Sequence, residues 1–333
     1  MRFLITGTAG FIGFHLAKRL LAEGHIVHGI DGLTTYYSLE LKKARHDILE
    51  SMEGFTPHII MLEELSGLVD AAAAADPDVI IHLAAQAGVR YSLEQPRAYI
   101  DANLTGTFNL LEVARTHEVR HLVLGTTSSV YGMDTESPFS EDAETDHPVS
   151  LYAATKKSTE LMSHAYSHLW KVPTTAARFF RVYGPWGRPD MALFSFVSAI
   201  LEDKPIDVYG DGRMTRDFTY IDDIVESLIR LVDVVPVIGE RVSDRDSLSP
   251  VAPWRRVNIG NGVPVKLMDF IAAIEKHVGR KASLNMMPMQ PGDVADTYAN
   301  TELLYRLTGF RPATSIDDGV KAFVDWYRSQ NRR

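Results

Sequence analysis

Short apolar runs rich in β-branched residues alternate with longer amphipathic segments along residues 1–180. The short runs predict β-strands, because turn-forming residues bound them and they are too short for helices. They lie at 3–6, 26–30, 59–62, 79–83, 122–125 and 174–179. The longer segments predict helices at 11–23, 39–52, 65–75, 98–116 and 151–170. This alternation is typical of a parallel sheet of about six or seven strands with helices on both faces, so we expect a doubly wound α/β fold.

The pattern loosens after residue 180, where loops rich in Gly and Pro separate the apolar segments. Further helices are predicted at 193–201, 221–232, 267–278 and 318–327. The stretch 236–253 is polar, contains Pro and has no period, which predicts an exposed loop. We therefore expect a large domain over 1–180, to which a segment near 215–233 returns, and a smaller C-terminal α/β lobe over 181–333.

Composition narrows the functional classes. The 333 residues are 45% hydrophobic, enough to bury a large core. No run approaches the roughly 18 to 20 uncharged apolar residues of a membrane span, and glycines interrupt the apolar start, unlike a signal peptide. A formal net charge of −9 argues against a nucleic-acid binder, and the absence of Cys excludes thiolate metal sites. We expect a cytoplasmic protein without membrane, nucleic-acid or metal partners.

A glycine-rich turn follows the first predicted strand. The segment Gly7-Thr8-Ala9-Gly10-Phe11-Ile12-Gly13 leads into a helix, and its glycines let the backbone turn sharply and approach a pyrophosphate at the helix N-terminus. The second strand ends at Asp31, 18 residues after Gly13, where a carboxylate can accept both hydroxyls of an adenosine ribose. Because Asp31 would repel a 2′-phosphate, this Rossmann-type domain is predicted to bind NAD rather than NADP.

Four more residues are assigned to the cofactor site. Leu83, Ala84 and Ala85 end the fourth predicted strand and are small enough for a cofactor to lie against them, although ordinary packing of the sheet explains them equally well. Asn103 lies in the predicted helix 98–116.

A Tyr and a Lys lie four residues apart in the predicted helix 151–170. This spacing puts Tyr152 and Lys156 on one helical face. A neighbouring ammonium and a positively charged nicotinamide would lower the pKa of the phenol, so Tyr152 can act as a general base toward an alcohol. Upstream, a strand ends in the hydroxyl cluster Thr127, Ser128 and Ser129, and Thr127 can bridge Tyr152 and a substrate oxygen.

These motifs, in this order, resemble the extended short-chain dehydrogenases/reductases over nearly the whole chain. Within them the chain is most similar to NAD-dependent nucleotide-sugar 4-epimerases of the UDP-glucuronate type, through HLAAQAGVRYS at 82–92 and RFFRVYGPWGRPDM at 178–191. The resemblance implies that a tightly held NAD oxidises C4 of a UDP-sugar, that the 4-keto sugar rotates, and that the hydride returns to its opposite face.

The same resemblance implies the residues that bind the substrate. Arg216, helped by Arg213, would clamp the UDP diphosphate, because a guanidinium offers paired donors to phosphate. Phe179 would face the nicotinamide. The residues expected around the nucleoside and diphosphate are Val208, Tyr209, Gln290 and Asp293.

The preference for an acidic sugar depends on Arg188, Ser128 and Ser129, which can donate hydrogen bonds to a carboxylate. A 4-ketone beside a C6 carboxylate is a β-keto acid and loses CO₂ when the orbitals align. An epimerase must therefore hold the carboxylate near the plane of the carbonyl. Arg181 departs from the family pattern, which has a small hydroxyl residue there, and can supply a second cation or favour another sugar.

Three alternatives stay open. The chain can be a UDP-uronate decarboxylase, an epimerase of a neutral UDP-hexose, or a catalytically silent NAD-binding scaffold. The retention of Thr127, Tyr152, Lys156 and Arg216 argues against the scaffold. Helices 98–116 and 151–170 resemble the pair that forms the dimer contact in the superfamily, so a homodimer is expected.

Overall fold

The computed structural model describes residues 1–133, 135–289 and 296–330. Its strands are β1 (Arg2–Thr6), β2 (Ile26–Ile30), β3 (Phe55–His58), β4 (Val79–His82), β5 (His121–Thr127), β6 (Thr174–Phe179), β7 (Arg181–Tyr183), β8 (Ile206–Tyr209), β9 (Thr215–Tyr220), β10 (Trp254–Ile259), β11 (Pro264–Lys266), β12 (Leu284–Met287) and β13 (Asp296–Thr297). Its α-helices are α1 (Phe11–Ala22), α2 (Leu39–Glu50), α3 (Leu65–Ala75), α4 (Tyr91–Glu94), α5 (Pro96–Tyr99), α6 (Gly106–Thr116), α7 (Leu151–Trp170), α8 (Ala192–Leu201), α9 (Ile221–Val232), α10 (Leu267–Val278), α11 (Glu302–Thr308) and α12 (Ile316–Gln330).

Seven parallel strands form the main sheet, in the order β10-β6-β5-β4-β1-β2-β3. The order reverses between β1 and β4, so the connections that leave these strands diverge and open a crevice at their carboxyl ends. The predicted doubly wound parallel sheet is confirmed.

Alternating residues of β1 divide the core between the two faces of the sheet. Phe3 and Ile5 pack with α1 and α9, whereas Leu4 packs with α3 and α6. All three side chains are fully buried. This two-residue period places the sheet between two helical layers, as expected for a strand that is covered on both sides.

The C-terminal elements form a second core. Residues of α8, α10 and α12 pack around β8 and Phe218 of β9. Strand β9 pairs with β7, β11 and β13, and β8 pairs with β12. The domain division at residue 180 stays a prediction. Strand β10, which lies beyond that residue in the sequence, completes the main sheet. None of the described helices is both long and apolar enough to cross a membrane.

The predicted strand 59–62 is wrong, since the edge strand β3 ends at His58. The apolar run that follows it is a loop in which Leu62 is buried, whereas Ile59 is exposed. Leu62 packs beneath α3 and α6, and its carbonyl oxygen accepts a hydrogen bond of 2.9 Å from Asn109 Nδ2. The Asn109 side chain satisfies the carbonyl group of Leu62, so this group does not need a partner strand.

The predicted helix 98–116 is interrupted, and one strand of the main sheet, β10, was missed along with the short strands of the C-terminal elements. A π-helix at Ile100–Thr105 separates α5 from α6. Strand β10 has two arginines in its sequence and reads as polar, but Arg255 is buried with Asp246. The predicted loop 236–253 has no helix or strand, yet part of its second half is buried, including Asp246 and Leu248.

We expect Asp246→Ala to destabilise the protein by about 3–5 kcal/mol, because it leaves the Arg255 guanidinium buried and unpaired. Asp246 accepts hydrogen bonds from Arg255 Nε at 2.9 Å and Nη2 at 3.0 Å, and from two backbone amides. Urea unfolding measures the change. As a control, Asp325→Ala removes the exposed ion pair with Lys321 and should cost less than about 1 kcal/mol. Equal losses in the two variants would contradict this assignment.

Candidate active site

The turn between β1 and α1 packs so closely that side chains are excluded. Gly7 has a φ of +83°, and a Cβ there would lie 2.9 Å from the backbone nitrogen of Ala84. A Cβ on Gly13 would lie 2.1 Å from the Gly7 carbonyl oxygen, and one on Gly10 would lie 2.9 Å from the same atom. The turn therefore brings bare backbone to the N-terminus of α1, where Phe11 and Ile12 begin the helix. This arrangement fits the pyrophosphate of a dinucleotide.

Asp31 lies directly after β2 and is tied to this turn. Its Oδ2 accepts from the amide of Ala9 at 3.0 Å, and its Oδ1 accepts from the amide of Leu33 at 2.8 Å. Its side chain stays partly exposed at the edge of the crevice. Each oxygen keeps a lone pair, so the carboxylate can still accept ribose hydroxyls.

A threonine that sequence reasoning missed joins the two strands at the crevice. Thr6 Oγ1 accepts from the amides of Leu83 and Ala84, both at 3.1 Å, and lies 2.7 Å from His82 Nδ1. Burial lowers the pKa of His82 to about 3, so the ring is neutral. The Thr6 hydroxyl therefore donates to Nδ1, and His82 Nε2 donates to Thr107 at 3.0 Å. This network fixes the backbone that leads into Ala85.

Asn103 lies beneath the same loop, within the π-helix. Its Oδ1 accepts from the amide of Gln86 at 2.8 Å, and its Nδ2 donates to Gln86 O at 3.1 Å and to Thr155 Oγ1 at 3.0 Å. The side chain is buried. The structure thus shows Asn103 joining the loop after β4 to α7, while the predicted direct contact with a cofactor stays a prediction.

The hydroxyl cluster and α7 meet at the carboxyl end of β5. Thr127 caps the 3₁₀ turn that follows, accepting from the Ser129 amide at 3.1 Å and donating to Ser129 Oγ at 3.2 Å. Ser150 caps α7, accepting from the Ala153 amide at 3.1 Å. The Thr127 hydroxyl lies close enough to the phenol of Tyr152, in the first turn of α7, to lower its pKa. The structure therefore brings the predicted Thr and Tyr together.

The groups that lower the pKa of Tyr152 differ from the expected ones, because Arg188 and Thr127 take the place of the predicted Lys156 ammonium. Burial raises the pKa of Tyr152, and the groups that oppose this are the Thr127 hydroxyl and the positive charge of Arg188. Burial lowers the pKa of Lys156 to about 8, against the negative charge of Glu160. Lys156 is thus a buried cation that loses its proton more easily than an exposed lysine. The ionisation of Tyr152, one helical turn earlier, is favoured by Thr127 and Arg188.

A buried ion pair that sequence reasoning missed supports Lys156. Glu160 accepts from Arg178 Nε at 2.9 Å and Nη2 at 2.7 Å, and from Thr126 Oγ1 at 3.0 Å. The Arg178 guanidinium also lies 4.8 Å from the centre of the Tyr131 ring. The one sequence sign of this support was the position of Glu160, four residues after Lys156 on the same helical face.

Arg188, the predicted carboxylate donor, is already held by a carboxylate. Its Nε donates to Asp190 Oδ1 at 3.0 Å and its Nη2 to Asp190 Oδ2 at 2.5 Å, and Tyr36 donates to Oδ2 at 3.3 Å. Arg181, which is exposed, lines the same cavity as Arg188. This geometry leaves Nη1 of Arg188 outside the paired contact with Asp190.

Arg45 is a further residue that sequence reasoning missed. It is fully buried, and its Nη1 donates to Ala9 O and to Tyr37 Oη, both at 2.8 Å, while Nη2 donates to Trp186 O at 2.5 Å. It therefore ties the glycine turn to the loop that carries Arg188.

The remaining predicted residues are spread over the C-terminal elements. Arg216 is buried in β9, and its Nη1 donates to Thr215 O at 2.8 Å. Arg213 is paired with Asp211 at 2.8 Å, with most of its side chain exposed. Val208 and Tyr209 lie in β8, and Phe179 ends β6. Gln290 and Asp293 lie outside the described residues.

The sequence and the fold match known proteins throughout. Residues 3–240 match the model of the NAD dependent epimerase/dehydratase family. The chain is 59% identical over 336 residues to the Probable UDP-glucuronate 4-epimerase of Rhizobium meliloti (strain 1021), covering 100% of this chain and 98% of that relative. It is 42% identical over 333 residues to UDP-glucuronate 4-epimerase 1 of Arabidopsis thaliana, covering 98% of this chain and 76% of the plant protein.

A solved structure is similar over the same length. UDP-glucuronic acid 4-epimerase from Bacillus cereus, in complex with UDP-glucuronic acid and NAD, superposes with a TM-score of 0.87 and 33% identity, covering 99% of this chain and 100% of that one. MoeE5 in complex with UDP-glucuronic acid and NAD superposes with a TM-score of 0.83 and 28% identity.

We expect Asp31→Asn to lower the preference for NAD over NADP about tenfold, because it removes a negative charge that repels a 2′-phosphate while keeping the shape of the side chain; a tenfold change corresponds to about 1.4 kcal/mol. The ratio of the two dissociation constants, measured by calorimetry on protein freed of nucleotide, tests this. Asp70→Asn changes an exposed acid of α3 and should leave the ratio unchanged. An unchanged ratio in Asp31→Asn would remove Asp31 from the ribose site.

Proposed function

The chain belongs to the NAD dependent epimerase/dehydratase family, and on this premise we propose that it catalyses the NAD-dependent 4-epimerisation of a UDP-sugar, converting UDP-glucuronate into UDP-galacturonate. The observation that carries the proposal is that the Thr127 hydroxyl and the Tyr152 phenol lie close together at the carboxyl end of β5, on the edge of the sheet that also carries the glycine turn after β1. The relatives named UDP-glucuronate 4-epimerase support the choice of reaction.

The glycine turn and Asp31 hold the cofactor in this proposal. NAD bound there supplies a hydride acceptor and gives the same hydride back, so no net oxidation results. The bare backbone of Gly7, Gly10 and Gly13 receives the pyrophosphate, and Asp31 receives the adenosine ribose. Lys156 lies below the nicotinamide end and binds its ribose.

Tyr152 handles the proton of the reaction. As the C4–H bond breaks, the proton of the C4 hydroxyl passes to the Tyr152 oxygen, and a carbonyl forms at C4. Thr127 donates a hydrogen bond that steadies the sugar oxygen during this change. After the sugar rotates, Tyr152 returns the proton to the C4 oxygen and the hydride reaches the other face of C4. The charge of Arg188 favours the ionised phenol that the first step requires, as does the Thr127 hydroxyl before it turns from the phenol to the sugar oxygen.

The acidic sugar is held by donors around its C6 carboxylate. Ser128 and Ser129 lie in the 3₁₀ turn after Thr127, and Arg188 extends toward the same site from the opposite loop. The Asp190 pair restricts the guanidinium to one orientation, so Arg188 meets the carboxylate through its remaining Nη1 donors. A carboxylate fixed in the plane of the C4 carbonyl does not lose CO₂. Arg181 adds a second cation to this cavity.

The UDP part lies against the C-terminal elements in this proposal. Arg216 clamps the diphosphate from β9, with Arg213 near the entrance. Val208 and Tyr209 flank the uracil, and Arg90 lies over the Tyr209 ring at 5.1 Å, which fixes that ring from the other side.

We further propose that two chains form a homodimer through α6 and α7, which pack side by side. Their outer faces carry large apolar side chains that are well exposed, Phe108 by 46%, Leu161 by 61% and Leu169 by 63%. Leu161, Ala165 and Leu169 follow at intervals of four residues and so form a stripe along α7. A stripe of this kind favours a second helix pair as its partner.

Product analysis tests the reaction and the sugar together. The purified protein, without added NAD, is incubated with UDP-glucuronate and with UDP-glucose in separate reactions, and products are resolved by chromatography with mass detection. We expect an isomer of unchanged mass from the uronate only. A product lighter by CO₂, or turnover of UDP-glucose alone, would overturn the substrate while keeping the fold.

In the same assay, Tyr152→Phe should lower the rate by about 10² to 10⁴, because the proton carrier is lost. Tyr305→Phe, which removes the hydroxyl of an exposed tyrosine in α11, serves as the matched control and should retain near-normal turnover. Unchanged activity in Tyr152→Phe would remove this residue from the chemistry.

Leu161→Asp should convert the dimer into a monomer, because it places a charge in the apolar stripe. Sedimentation velocity measures the mass of the particle. Val237→Asp changes a side chain in an exposed loop and should leave the dimer intact. A monomeric wild-type protein would contradict the proposed contact.

A further inference from the structure

A second cleft lies on the side of α7 that faces away from Tyr152. It is bounded by α7, β10 and the loop 236–253, and it encloses about 500 Å³. This volume is in the range of roughly 300–1,000 Å³ that small-molecule sites occupy. Lys157 lines it, although the preceding residue, Lys156, faces the catalytic side, because successive residues of a helix point about 100° apart. The cleft is thus separate from the substrate cavity.

Four basic side chains line this cleft. They are Lys157, Arg241, Arg245 and Arg256. Lys157 donates to Thr145, and its closest carboxylate, Asp146, is 3.9 Å away with a largely exposed side chain. Arg241 is bonded only to a backbone oxygen, that of Leu248 at 3.0 Å, among the contacts of the described residues. None of these contacts fully neutralises the charges.

Four carboxylates also line the cleft, but two are already committed. Glu160 is taken up by Arg178 and Thr126. Asp246 is taken up by Arg255 and two backbone amides. Asp142 and Asp244 remain. The four cations of the lining exceed these two acids by two charges, and the pairing of Lys157 with Asp146, just outside the lining, lowers the excess to one.

Arg256 is the basic residue of this cleft whose guanidinium has a buried donor without a hydrogen-bond partner among the described residues. Its backbone is tied to Ser247, and its guanidinium lies 5.7 Å from the centre of the Trp254 ring. Its Nε is closed off from solvent, and no hydrogen-bond partner for it exists among the described residues. Buried donors of this kind are normally satisfied. A small rotation of this flexible side chain would let Nε and an Nη group donate hydrogen bonds to two oxygens of one anion, the paired geometry typical of a guanidinium.

We propose that this cleft binds a small anion that carries at least two negative charges on adjacent oxygens, of the diphosphate class. The remaining excess of positive charge favours an anion, and Arg256 and Lys157 offer donors to more than one of its oxygens. Arg245 and Arg241 extend over it from the loop. His164, beside the cleft, is hydrogen-bonded to Ser249 at 2.9 Å, and so contributes a polar wall.

Titration calorimetry with inorganic pyrophosphate tests the proposal on the NAD-loaded protein. Saturating UDP is present throughout, so that the proposed substrate site is filled and cannot take up the probe. We expect one pyrophosphate per chain, and at least tenfold weaker binding to Arg256→Gln. Arg280→Gln, which changes an exposed arginine remote from the cleft, should bind as the wild type does. No binding to the wild type in UDP, or equal binding to Arg256→Gln, would overturn the proposal.

Arg245→Gln keeps the test decisive if Arg256→Gln folds poorly. Arg245 is exposed at the entrance, so its replacement spares the core. We expect its pyrophosphate affinity to fall several-fold, with an unchanged melting temperature. Unchanged affinity in this variant would count against the site. A wild-type dimer that fails to bind pyrophosphate would mean that the second copy covers the cleft, and this would also overturn the proposal. The measurement reads binding alone, so its failure is distinct from a failure of the epimerase assay.

Discussion

Glu160 and Arg178 form a buried ion pair between α7 and β6, and the parts of the candidate site are arranged around it. Removing two charges from water is expensive, and the pair persists because both oxygens of Glu160 are bonded, with Thr126 as a third donor. An ion pair of this geometry permits few rotations of α7 against the sheet. It therefore determines where the first turn of α7 puts Tyr152 relative to Thr127.

The same pair explains why a lysine can be buried at this position. The negative charge of Glu160 opposes the desolvation of Lys156, and what results is a pKa of about 8 rather than a neutral amine at physiological pH. Arg178 in turn lies over the Tyr131 ring, whose hydroxyl donates to Asn258 of β10 at 2.7 Å. The last strand of the sheet is thus connected to the catalytic side through polar contacts as well as through the ladder.

On the opposite side of the crevice, the constraint is steric rather than electrostatic. The glycine turn approaches Ala84 and its own carbonyl so closely that any Cβ would collide with backbone. Arg45 then joins this turn to the loop that bears Arg188. The proposed cofactor and acid-binding regions are therefore one connected unit, and Asp190 and Tyr36 hold Arg188 at its edge.

The amino-acid sequence by itself determined the order and type of most elements and the main chemical groups. Helices α3, α7, α9 and α10 begin and end where their periodicity predicts, since a local pattern of apolar residues suffices for them. The glycine turn, Asp31, Thr127 and Tyr152 were also visible, because the turn is contiguous, Tyr152 and Lys156 are one helical turn apart, and Asp31 and Thr127 each follow a predicted strand. Only the tertiary structure decided the place of β10, the Glu160–Arg178 support, the hold of Asp190 on Arg188 and the cleft behind α7. Each of these features joins residues from different elements. A buried charge needs a partner of opposite charge that is near it in space, and the local sequence pattern does not show which residue that is.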